Sequence, residues 1–194
     1  MNLKTTFFLL LFVTVIPLAN AQMEKVPKQY TIEAGYIYTF DNGFENSGSN
    51  GGYFLLDYAW QLSGFHKKKA AYITVPLGYS WLMGQGNEKD LRILSYGWTV
   101  RHELARDKDF IPFIGYGLLL NQLRQEGTDG SIFGHQTQFE FGFNYNKPER
   151  VKPFVKLEYS LIRFPQFGSD KSYRMNHVAL KFGVRFNSRD TNKK

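Results

Sequence analysis

The chain has no cysteine. A disulfide framework is therefore excluded, and so is a thiolate as nucleophile or metal ligand. Proline is sparse, at 7 of 194 residues, and no low-complexity linker divides the chain, so one domain is expected. Past the N-terminal stretch, no run reaches the ~18 apolar residues that a spanning helix needs. Helical periodicity is missing there too. No metal-ligand cluster, phosphate loop or nucleophile elbow occurs, and no cofactor is implied.

What is present begins with MNLKTTFFLLLFVTVIPLANA. Lys4 provides the positive start, Phe7 to Pro17 the apolar centre, and Ala19-Asn20-Ala21 a small-x-small cleavage site. This is the pattern of a secretory signal peptide. Cleavage after Ala21 would leave 173 of the 194 residues and, by removing Lys4, lower the formal charge from +7 to +6. Export turns a basic balance away from nucleic acid and toward anionic lipid.

The remainder is rich in aromatics (17%, with 18 Phe and 12 Tyr) and in glycine (18), residues that favour strands and tight turns. Eight segments alternate at period two: roughly Tyr30–Phe40, Gly52–Leu62, Ala70–Leu82, Leu91–Glu103, Ile111–Asn121, Gly134–Asn146, Pro153–Phe164 and Tyr173–Phe186. Connections after the odd segments, such as DNGFENSGSN and MGQGNEKD, are rich in Gly, Asn, Ser and Asp. Those after the even ones, such as SGFHKKK and LARDKD, read as shorter on average and more basic. An even number of antiparallel strands with alternating connections points to an all-β, eight-stranded up-and-down transmembrane barrel at 22–187, with a polar tail at 188–194. Both termini then lie on the short-turn, periplasmic side.

Volume decides which face is inside. Each strand has a bulky apolar face, for instance Phe139, Phe141, Phe143 and Tyr145, and a face of small or charged residues. An eight-stranded barrel has room for side chains and little else, so about four bulky residues per strand would overfill it. The bulky face should point outward, where only a bilayer tolerates it. Tyr30, Trp60, Trp81 and Tyr145 would suit the interfaces. A soluble lipocalin-like cup, with the faces reversed, also accounts for export and alternation.

With the bulky face outward, the lumen receives Glu33, Asp57, Arg101, Glu103, Glu140, Lys156, Glu158, Lys181 and Arg185. Charges in so narrow a space must pair or stay hydrated. An ion-pair network that plugs the barrel is expected, with a gated or ion-selective pore as the alternative. His135, Ser131 and Asp129 are the residue types of a hydrolase, although closeness in sequence supplies no triad geometry. The Lys67–Lys69 run reads as a solvated turn that touches anionic headgroups.

The strand count, the alternation, the leader and the final aromatic strand HVALKFGVRF together resemble the small outer-membrane β-barrel superfamily of the OmpA-transmembrane, OmpX and OmpW types. The resemblance covers the mature chain and comes with no diagnostic motif. It implies outer-membrane lipid and the barrel-assembly machinery as partners, with Phe182, Val184 and Phe186 as the assembly signal, although NSRDTNKK leaves Phe186 internal. The second half is also similar in rhythm to the lipid A deacylases, which share His-x-Ser-Asn on a late strand. The comparable LEYSLIRF lacks the histidine, so no catalytic residue is carried over. The expectation is a monomeric, non-enzymatic barrel with a structural or interaction role, acting through loops at 41–50, 83–90, 122–133 and 165–172. The alternatives are a lipid-modifying hydrolase and an accessory barrel of an envelope secretion or conjugation complex.

Overall fold

Alternation at period two gives each strand two different faces, and a sheet that must hide one of them has an incentive to close on itself. A computed structural model describes residues 28–44, 47–62, 69–146, 151–165 and 172–187. Residues 1–27, where the signal peptide is expected, the 45–46, 63–68, 147–150 and 166–171 segments and the 188–194 tail lie outside the described residues.

Eight strands follow in order: β1 (Lys28–Asn42), β2 (Asn50–Gln61), β3 (Ala70–Met83), β4 (Leu91–Glu103), β5 (Phe110–Gln125), β6 (Ile132–Tyr145), β7 (Val151–Pro165) and β8 (Ser172–Asn187). Each pairs antiparallel with its sequence neighbours, and β1 pairs with β8, closing the barrel. The strands hold 12 to 16 residues, more than the ~9–11 that cross a bilayer at a tilt.

Two details depart from the sequence reading. β5 continues to Gln125, so Gln122, Leu123, Arg124 and Gln125 are strand rather than loop. Gln122 and Arg124 alternate outward past an inward Leu123, and the ladder to β4 runs through Gln125. With the strands at these lengths, the contrast between long and short connections nearly vanishes: 43–49 and 84–90 stand against 62–69 and 104–109. The contrast in composition stays.

The wall has two irregular places. A bulge shifts the β1–β8 register between Thr39 and Asp41. The β3–β4 ladder skips Val75 and Pro76, because proline has no N–H to give.

Burial alternates along every strand, and the bulky face is the outer one. Leu118, Phe139, Leu157 and Phe182 are 51%, 51%, 52% and 60% exposed. Aromatic pairs gather on this wall near the 104–109 turn end, with Tyr30–Tyr58 at 4.9 Å, Tyr58–Trp60 at 4.5 Å and Phe110–Tyr145 at 5.2 Å between ring centroids. Water offers such a surface no partner, whereas hydrocarbon does.

Candidate functional site: the filled lumen

The inward face divides into three zones along the barrel axis. At the end that carries the 84–90 loop the filling is carbon. Ile37, Leu82, Leu91, Leu123, Ile162, Phe164 and Met175 are buried in one cluster, which Phe44 of the first loop joins. Phe44 meets Phe164 edge-on at 5.5 Å and stacks on Tyr173 at 4.6 Å. Ser47 Oγ fixes this loop by donating to the Phe44 carbonyl at 2.6 Å, and Asn42 Nδ2 donates to Ser47 Oγ at 3.1 Å.

The sequence reading missed this apolar zone. The signal was there: near the loop end of several strands the alternation gives way to continuous apolar runs, as in YFLL at 53–56 and LLL at 118–120. Those runs supply Tyr53, Leu55 and Leu119 to the inside.

The middle zone is ionic. Lys156 Nζ lies 2.7 Å from Glu140 Oε2, 2.9 Å from Glu33 Oε2 and 3.8 Å from Glu158 Oε2. Lys181 Nζ lies 2.7 Å from Glu158 Oε2 and 3.9 Å from Glu33 Oε1, and it sits 3.4 Å from the centre of the Tyr53 ring. Two lysines thus join three carboxylates, and the five groups come from four strands. Glycine makes the space. A Cβ on Gly115 would come within 2.5 Å of Glu140 Oε1, and one on Gly35 within 2.7 Å of Lys181 Cγ. These glycines are needed for side-chain volume rather than for backbone freedom.

His177 belongs to this zone as well. It is buried on β8, with Nε2 4.0 Å from Glu158 Oε1. Ser160 Oγ donates to Glu158 Oε1 at 3.2 Å and accepts from Gln136 Nε2 at 2.9 Å. A cavity of about 10 Å³, the size of one water, lies beside His177 and Glu158. A histidine, a serine and a carboxylate do meet here, but no substrate larger than water fits that cavity.

Cations and rings fill the zone at the turn end. Arg185 stacks between Phe113 and Phe154, at 4.5 and 3.9 Å from their centres. Arg101 lies 4.8 Å from the centre of Tyr72 and donates through Nη2 to Gln29 Oε1. Glu103 takes Arg106 Nε at 3.3 Å and Asn144 Nδ2 at 3.0 Å.

Of the nine charged residues the sequence assigned to the lumen, eight are buried inside, and Asp57 is half-buried. The sequence missed a tenth, Lys152, which is buried and pairs in register with Arg185. Among the described residues, five inward cations (Arg101, Lys152, Lys156, Lys181, Arg185) face five anions (Glu33, Asp57, Glu103, Glu140, Glu158), so their formal charges sum to zero. Full neutralisation is what a low-dielectric interior demands of charges it holds.

The other candidate trio does not assemble as a site. His135 points outward, Ser131 Oγ accepts from Gln122 Nε2 at 2.9 Å, and Asp129 is exposed in its turn. Phe182, Val184 and Phe186 share the outer face of β8. Among the described residues, no cluster of three or more His, Asp or Glu could hold a metal ion.

No protein-family profile matches the chain, and no curated protein matches it. Solved structures do. The neisserial surface protein NspA is similar at TM-score 0.60 and 12% identity, over 84% of this chain and 97% of that one. The outer membrane enzyme PagL is similar at 0.52 and 13%, over 80% and 97%. The outer membrane protein OprG from Pseudomonas aeruginosa is similar at 0.50 and 11%, over 87% and 99%. At such identities the likeness concerns the fold. The chain has the fold of the small eight-stranded outer-membrane barrels and is a transmembrane β-barrel. One of these three is named an enzyme, so the fold does not decide activity.

Proposed function

We propose that this protein is a closed, non-enzymatic barrel of the bacterial outer membrane, with a structural or interaction role and both termini on the periplasmic side. The observation that carries the reading is the occupied lumen. An apolar plug at one end and a neutral ion-pair network across the middle fill the path that an ion or substrate would take. Opening that path would strand charges that now neutralise one another, at several kcal/mol for each uncompensated ion. The similarity to outer-membrane barrels supports the location, and an even strand count sets the start of β1 beside the end of β8, which favours termini on one side.

Planar-bilayer recording of the purified barrel tests the reading. No conductance steps are expected, and a steady single-channel conductance would replace the plug with a pore. The outward aromatic face of β8, ending in Phe186, favours recognition by the barrel-assembly machinery. A Phe186→Ala variant should then insert more slowly in the presence of that machinery and at an unchanged rate into pure lipid. The similarity to PagL makes a lipid-modifying hydrolase the second reading. Incubation with lipid A and mass spectrometry of the lipid tests it, with no acyl release expected.

A further inference from the structure

The outer wall carries an arginine pair that a lipid-facing surface does not itself require. Arg92 of β4 and Arg124 of β5 stand directly opposite each other in register, both exposed on the outward face. Like charges at opposed positions destabilise a sheet. Near the membrane interface such residues are tolerated, whereas at mid-depth they are expensive. With Tyr79, Leu94 and Gln122, the two arginines line a cavity of about 300 Å³ on the wall.

Among the described residues, neither guanidinium makes an ion pair with a carboxylate. Asp90 feels the charge of Arg92 from a distance, but its oxygens are held away in contacts with Trp81 Nε1 at 2.7 Å and the Gly84 N–H at 2.9 Å. The other arginine pair in register, Arg163 and Arg174, differs in its contacts. There Arg163 Nη1 donates to the Ile162 carbonyl at 3.0 Å and to Asn176 Oδ1 at 3.1 Å, and Asn176 in turn donates to Asp41 at 2.7 Å.

We propose that the Arg92–Arg124 cavity binds the phosphate of a membrane-lipid headgroup. Two guanidinium forks match phosphate oxygens in geometry and charge, and an anion between them turns a repulsive cross-strand pair into a clamp. Gln122 supplies a neutral donor. Tyr79 and Leu94 offer apolar surface to the methylenes that follow a headgroup, a contact that free phosphate cannot use. Trp81, beside Arg92 in register, suits the interface where such headgroups lie.

The site rests on the transmembrane reading, and the test separates the two. The full barrel is folded into phosphatidylcholine vesicles with and without a minor fraction of phosphatidic acid, and urea unfolding and lipid retention in native mass spectrometry are read. Phosphatidic acid should raise the unfolding midpoint of the wild type. The Arg92→Gln/Arg124→Gln variant should lose most of that rise and retain the lipid on the order of tenfold less per arginine removed. In pure phosphatidylcholine the same variant should unfold no earlier than the wild type, because a like-charge pair has gone. Lys69→Gln, an exposed cation elsewhere, should leave the rise intact. An equal rise in the double variant, or an equal loss in Lys69→Gln, would overturn the site. Inorganic phosphate reproducing the rise in neutral vesicles would overturn the lipid as its ligand. A wild type that fails to insert at all would overturn the transmembrane reading, and the site with it.

Discussion

Two neighbouring zones of the lumen exclude water by opposite means. Near the 84–90 loop the barrel is stopped with leucine, isoleucine and phenylalanine, which need only fit. In the middle it is stopped with lysine and glutamate, which must fit and also balance. Losing a methylene from the first zone leaves a small void, but losing one ammonium from the second leaves carboxylates with nothing to face. The same volume of barrel thus responds on quite different scales to a single substitution.

The largest effect should come from Lys156→Met, which strips three glutamates of a shared cation. A loss of about 3–5 kcal/mol is expected in urea unfolding of the vesicle-folded barrel. Adding Glu140→Leu removes one of the stranded charges and should return most of the loss, since a buried pair replaced by apolar groups is often neutral. If Lys156→Met were as stable as the wild type, the ionic zone would be hydrated and the contrast would collapse. Next, Phe139→Arg places a cation on the lipid-facing wall and should cost about 2–4 kcal/mol if it lies at mid-depth. A neutral result would reverse inside and outside. Ile162→Val, in the apolar zone, should cost only about 0.5–1.5 kcal/mol.

The smallest effect concerns the 84–90 loop. The Gly84 N–H and the Trp81 indole hold the Asp90 carboxyl below its ordinary range. Because the folded value is the lower one, the ordering that Asp90 gives the loop is fully present above the ordinary carboxylate pKa. It is lost as pH falls through the depressed value. The Trp81 indole proton resonance should shift in that acid window in the wild type and not in Asp90→Asn.

Which face is which could be read from the sequence because period two and barrel volume constrain the same residues. Phe139, Phe141 and Phe143 cannot fit inside with their counterparts from seven other strands. The charged set was legible for the same reason, since Lys156 and Lys181 alternate with bulky neighbours. The apolar zone was not, because Leu55 and Leu119 lie within runs where both faces are apolar and alternation carries no information. Lys152 was hidden differently. In KPERVK it has the surroundings of a solvated turn, and only its register with Arg185 turns it inward. His177 could be placed on a strand, but its Glu158 neighbour is fixed by β7–β8 pairing, which local sequence does not state. The Arg92–Arg124 opposition depends on β5 extending beyond Asn121, where polar residues had suggested a loop.

Glu33 stands on the first strand, and both lysines that neutralise it stand on the last two. While the chain is still an open sheet, the two ammoniums already face Glu140 and Glu158 on β6 and β7, but Glu33 has no cation, and that part of the reward for curling is withheld. The reward arrives only when β1 meets β8. The seam therefore works as a latch: only closure gives Glu33 its cations, and until it happens the β1 edge of the sheet carries unspent charge.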